Sequence, residues 1–102
     1  MPTNDSNTTA TLSGPEVPRV LRPFFAEGRI LVMPAKASRR QLILEIVVQD
    51  FEIGVQYSEK MVNLILGLRH SDTAMVRRYL VDAGLMGREN GVYWRTGGQV
   101  DV

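Results

Sequence analysis

Residues 71–95 read SDTAMVRRYLVDAGLMGRENGVYWR, and the order of signals in this stretch decides the fold. Asp72, or Ser71, can cap a helix by accepting a bond from a free backbone N–H at its start. At 100° per residue, Val76, Tyr79, Leu80 and Ala83 fall on one stripe, the spacing of a helix packed on a core. Gly84 follows as the stop, because glycine takes the left-handed conformation there without strain. Asn90-Gly91 then separates residues 85–89 from 92–95, the strongest short hairpin signal, since a type I′ turn needs positive φ at both central residues. A helix feeding directly into so short a hairpin is what the reading end of a winged helix-turn-helix domain looks like.

The upstream sequence supplies the other elements in matching order. Val55-Gln56-Tyr57 suits one short strand, and Ser58 caps a helix with Tyr57 and Val62 placed as a hydrophobic staple. Met61, Val62, Ile65 and Leu66 are expected to face inward along it. Ser38-Arg39-Arg40-Gln41 has the capping-box pattern, predicting a helix to about residue 50 with Leu42, Ile43, Ile46 and Val47 inward. Leu44 and Val48 lie toward its other side, which predicts burial on two faces, against its own domain and a second subunit. The RILVMP run at 29–34 is too short for periodicity to separate strand from coil. Val17, Val20, Leu21, Phe24 and Phe25 have helix-like spacing interrupted by Pro18 and Pro23, an extra helical segment docking two phenylalanines on the core. Residues 1–15 are rich in Thr, Asn and Ser and cannot bury enough apolar surface to offset their ordering entropy, so a disordered tail is expected. The expected fold is α+β, mainly α. A winged-helix-like domain spans residues 16–96, with the extra N-terminal helical segment, a C-terminal β-hairpin wing and a flexible end at 97–102.

A chain of 102 residues, 44% of them apolar, builds one domain of modest core. Twelve Lys and Arg against eleven Asp and Glu give a formal charge of +1. Without Asp5 and Asp101 in the two ends, twelve cations stand against nine acids, so residues 16–96 carry +3. That balance neither demands nor forbids nucleic acid. The absence of cysteine rules out disulfides and thiolate metal sites. There is no signal-peptide pattern and no apolar run long enough for a bilayer, so a cytoplasmic protein without a membrane partner is expected.

The residues able to do chemistry cluster on the last helix and hairpin. Ala74, Arg78 and Val81 point most directly away from the core stripe, flanked by Thr73, Met75 and Arg77. An outward arginine can donate two bonds to guanine O6 and N7 in a major groove. Thr73 at the helix N-terminus suits a phosphate, and Arg88 near the hairpin tip is the natural backbone contact of a wing. Asp72 and Asp82 offset the two helix arginines, and Arg78 and Asp82 are spaced to pair. Lys36, Arg39 and Arg40 gather at a helix start, where the dipole disfavours cations, and local misfits of this kind can mark function. Of the alternating Tyr93 and Trp94, Trp94 is expected inward with Val92. His70 is the only histidine and has no cysteine beside it to complete a metal site. His70-Ser71-Asp72 are consecutive, the pattern of a helix cap rather than a triad assembled in space. No glycine-rich phosphate loop is present. No enzyme, cofactor, metal or small-molecule ligand is inferred.

The stretches MPAKASRR, DFEIGVQYSEKMVN and VRRYLVDAGLMGRENGVYWR together resemble an uncharacterised bacterial domain-of-unknown-function family, found alone or fused behind ArsR-type winged-helix regulators. The resemblance covers about residues 20–95 and is most specific in the last third. It implies a winged-helix-like fold and a role in transcription regulation, with no established ligand or reaction. The chain departs from the family's pattern at Val55, where a basic residue is usual, at Pro23, and in the Arg69-His70-Ser71-Asp72 turn. The function expected from residues and resemblance together is a DNA-binding regulator-like module. It would read duplex DNA with Thr73, Ala74, Arg77 and Arg78, and touch phosphates through Arg88, Lys36, Arg39 and Arg40. The alternative is a protein-interaction or homodimerisation module that keeps the core and does not bind DNA. Its support is the modest charge and the apolar helix at 43–48.

Overall fold

A computed structural model describes residues 17–98. The tail expected at 1–15 and most of the C-terminal end expected at 97–102 lie outside them. The described chain is α+β: three helices and two small antiparallel sheets share one core. Among the described residues no helix is long and apolar enough to cross a membrane.

The N-terminal part corrects the expected helical segment. Among its described residues only one 3-10 turn forms, Arg19–Leu21, because Pro23 has no N–H to continue a helix. Strands β1 (Phe25–Ala26) and β2 (Arg29–Ile30) follow, paired across a two-residue turn at Glu27-Gly28 with φ of 53° and 78°. Leu21, Phe25 and Ile30 are buried from this segment, so its aromatic contact with the core is made by a hairpin.

Helix α1 spans Ala37–Val47 and runs on through a 3-10 turn, Val48–Asp50. The Ser38–Gln41 capping box does not form. The helix begins earlier, with the N–H groups of Arg39 and Arg40 bonding to the Lys36 carbonyl, and Gln41 donates to Glu45 instead. The rotation of α1 also differs from expectation. Ile43, Leu44, Val47, Val48 and then Phe51 are buried, whereas Leu42 is exposed and Ile46 half-buried. That stripe lies against the chain's own core. The apolar content nearly all round the helix left the hydrophobic direction undetermined by period alone.

Strand β3 (Gln56–Ser58) leads into α2 (Glu59–Leu66), whose cap is the Ser58 hydroxyl accepting from the Met61 N–H at 3.1 Å. Val62 and Leu66 are buried and Ile65 partly so, but Met61 faces outward. Helix α3 (Thr73–Asp82) is capped by Asp72, which accepts from the Met75 N–H at 3.1 Å. Val76 and Leu80 are buried, with Tyr79 and Ala83 half-buried against the same core. The helix closes as a Schellman motif: Leu85 N–H bonds the Leu80 carbonyl, Gly84 N–H bonds that of Val81, and Gly84 has φ of 76°.

Strands β4 (Met86–Glu89) and β5 (Val92–Arg95) meet at Asn90-Gly91, where φ is 52° and 79°, as a type I′ turn requires. The second sheet has the order β3-β5-β4, with Tyr57 opposite Tyr93 and Arg88 opposite Tyr93 on the other side. The face assignment of β5 is the reverse of expectation: Tyr93 is fully buried, and Val92 and Trp94 are only partly covered on the opposite face. Met86 explains the parity. It is buried directly after the Schellman closure, so Arg88 two residues on and Tyr93 across from it must share its face. Trp94 lies across its partner Gly87. A Cβ at that position would fall 2.5 Å from the indole, so only glycine leaves the ring room.

Candidate nucleic-acid interface

On α3, successive side chains separate by 100°, so Arg77 and Arg78 leave the helix in different directions. Arg77 turns toward α2. It donates to the Asn63 side-chain oxygen, lies 3.9 Å from Glu59 Oε2, and stands over the Tyr93 ring at 5.9 Å from the centroid. Glu59 in turn accepts the Tyr93 hydroxyl proton at 3.1 Å. One polar network thus joins α2, α3 and the central strand of the sheet, and Arg77 is a structural member of it.

Arg78 is exposed beside Ala74 and makes no ion pair with Asp82 among the described residues. Their spacing does not produce the expected pairing. Arg88, from β4, reaches over the Tyr93 ring at 5.7 Å. Arg77, Arg78 and Arg88 converge with Ala74 and Asp82 on a cleft of about 160 Å³ between α3 and β4, with Tyr93 as its buried floor. Four of the residues singled out from the sequence therefore meet in space.

The remaining four do not. Thr73 is half-buried in the first turn of α3 and does not line the cleft. Arg40 stacks over Tyr79 at 4.7 Å and donates to the Ala35 carbonyl at 3.0 Å. Its guanidinium holds the loop before α1 against α3. Lys36 and Arg39 stand with it at the start of α1 and do not line the cleft. His70 Nδ1 accepts the Asp72 N–H at 2.8 Å, which shapes the turn into α3. Among the described residues no three His, Cys, Asp or Glu side chains gather as a metal ion would need.

Two features were missed in the sequence. Arg69 binds Asp50 through both Nε and Nη2 at 2.7 Å, donates to the Gly28 carbonyl at 2.9 Å, and lies over Phe25 at 5.7 Å. The hydrogen bond to Asp50 raises the Arg69 pKa above its ordinary value, against the lowering effect of burial. The partners lie 19 and 41 residues away, so no local pattern announces them. The second feature is an open groove of about 560 Å³ on the outer sheet face, lined by Val55, Gln56, Val92 and Trp94 among others. The parity of β5 creates it, by turning Val92 and Trp94 to the face opposite buried Tyr93.

The chain belongs to the bacterial family described as "Uncharacterized protein conserved in bacteria (DUF2087)", whose model matches residues 29–95. No curated protein and no solved structure matches it.

Proposed function

We propose that this chain is a DNA-binding, regulator-like module of winged helix-turn-helix type, working in the cytoplasm, with α3 as recognition helix and β4–β5 as wing. The element order α1, β3, α2, α3, β4, β5 and the sheet order β3-β5-β4 support that reading. So does the resemblance to domains fused behind ArsR-type regulators. The observation that carries it is the meeting of Arg78, on the outward face of α3, with Arg88, on the wing, beside a small Ala74 that lets a duplex approach. Both cations come from the two elements such a domain lays on DNA, and no carboxylate of the described chain pairs with either. Fold alone does not establish function, so the test must read binding. Fluorescence anisotropy of a labelled duplex should show association at low salt that weakens as salt rises, and Arg78→Glu should weaken it by at least about tenfold, the scale of losing and reversing a phosphate contact. No association of wild type at low salt would sink the reading.

A homodimerisation module is the second reading, favoured by one observation. Met61, Leu64 and Leu68 stand 45%, 62% and 73% exposed along one side of α2 and the turn after it. An apolar stripe left in water is the usual mark of a partner surface. On this reading sedimentation gives twice the chain mass, and Leu64→Glu returns it to the monomer. A monomeric wild type removes it.

A further inference from the structure

We infer that the cleft between α3 and β4 seats a single phosphate group, held by Arg78 and Arg88, and that duplex recognition here follows the backbone rather than the bases. The second half of the inference rests on the DNA-binding reading above; the first half does not. At about 160 Å³ the cleft is small beside the roughly 300–1,000 Å³ of ordinary ligand pockets. It has room for a tetrahedral oxyanion. Its polar lining is cationic: three guanidinium groups face one carboxylate, Asp82.

The three arginines are not equivalent. Arg77 directs its donors at Asn63 and lies beside Glu59, so it forms a wall of the cleft and its charge is partly answered. The guanidinium groups of Arg78 and Arg88 make no hydrogen bond or ion pair with another described residue. A guanidinium over an aromatic face keeps its N–H donors at its edge, in the fork geometry that matches phosphate oxygens. Arg88 over Tyr93 has that arrangement. Tyr93 itself is fully buried and anchored through Glu59, which fixes the floor of the cleft.

Sequence reading suffers in consequence. With Arg77 held by α2 and Arg78 given to a phosphate, the outward face of α3 keeps Ala74 and Val81, which offer no hydrogen bond to a base edge, and Asp82 at its end, which faces the guanidinium groups of the cleft. Binding should then be sequence-tolerant and salt-sensitive.

The test uses the full chain and two labelled duplexes of unrelated sequence, titrated across a range of salt. Affinities for the two duplexes should agree within about threefold, far inside the 10³-fold or greater preference of sequence-specific binders. Arg78→Ala and Arg88→Ala should each make the log–log salt slope less negative, and the double variant should change it by about 0.9 in all, the one phosphate contact the two arginines share. Arg22→Ala, an exposed cation outside the cleft, should leave the slope unchanged. A parallel titration with inorganic phosphate, read through the Arg78 and Arg88 Nε–H resonances, separates the sources of the phosphate. Duplex binding with both slopes unaltered, or with Arg22→Ala as damaging as the cleft variants, overturns the seat while the DNA reading stands. A strong preference for one duplex overturns the sequence tolerance. Inorganic phosphate shifting those resonances without duplex binding upholds the seat, assigns it to free phosphate, and ends the DNA reading. Neither response overturns both.

Discussion

Tyr93→Ala is expected to cost about 3–5 kcal/mol, the range for removing a large aromatic from a core. Tyr93 is fully buried and lies on β5, the middle strand, where it pairs with Tyr57 on one side and Arg88 on the other. Truncation removes the ring's buried area and leaves a cavity that a sheet fixed on both edges closes poorly. It also takes away the ring under Arg77 and Arg88 and the hydroxyl that Glu59 accepts from. For a domain of this size each kcal/mol moves the melting temperature by about 4–8 °C. The alanine variant should therefore melt at least about 12 °C lower, having lost a large share of a total stability of about 5–15 kcal/mol. Tyr93→Phe keeps the ring and removes only the bond to Glu59, a loss of about 1 kcal/mol. Urea unfolding followed by circular dichroism measures both. Trp94, the only tryptophan, gives a second probe on the other face of the same strand. An alanine variant within 1 kcal/mol of wild type would contradict the placement of Tyr93 at the centre of the core.

The same strand shows where sequence reasoning ran out. The cap at Asp72, the Gly84 stop and the Asn90-Gly91 turn were legible because each is settled by residues a few positions apart. The direction of β5 was not. Val92, Tyr93 and Trp94 are all good strand formers, so a four-residue strand gives no alternation to read. Buried Met86, on the neighbouring strand, decides it. Helix α1 failed for a similar reason: apolar residues nearly all round it allow more than one inward stripe, and packing chose Ile43, Leu44 and Val47 over Leu42 and Ile46. The turn at Glu27-Gly28 puts a non-glycine residue at φ of 53°, a conformation its residue type does not advertise. In the candidate site, Arg78 and Arg88 were found from helix geometry and turn position. Arg77, which the sequence offers as a base reader, turns instead to Asn63 and Glu59, partners that belong to another helix. An outward-pointing arginine on a helical wheel is free only if no neighbouring element reaches it.

Arg69 is the extreme of that lesson and the source of the second large effect: Arg69→Ala should cost about 2–3 kcal/mol. Breaking a fully buried ion pair costs about 3–5 kcal/mol, and this one, with side chains 20% and 27% exposed, falls below that range. It still exceeds an ordinary surface pair of up to about 1 kcal/mol, because the fork is bidentate and three segments depend on it. Asp50 ends the 3-10 turn after α1, Gly28 lies in the β1–β2 turn, and Arg69 itself forms the turn between α2 and α3. The Arg69 carbonyl also accepts the Ile30 N–H at 2.8 Å, and the guanidinium covers Phe25. Alanine leaves the N-terminal hairpin with one fewer tie and Asp50 without its cation. Arg69→Lys should recover less than half of the loss, since an ammonium cannot make the two parallel bonds. A double-mutant cycle with Asp50→Ala should return a coupling of at least about 1 kcal/mol, and additive losses would mean the pair holds nothing together. The pH dependence has a definite sign. The folded-state pKa of Arg69 is raised, so its contribution is complete below arginine's ordinary value and is lost only as pH climbs through the raised one. The stability gap between wild type and Arg69→Ala should stay flat from roughly pH 7 to 9, and a gap that closes over that interval would place the stabilisation on some other group.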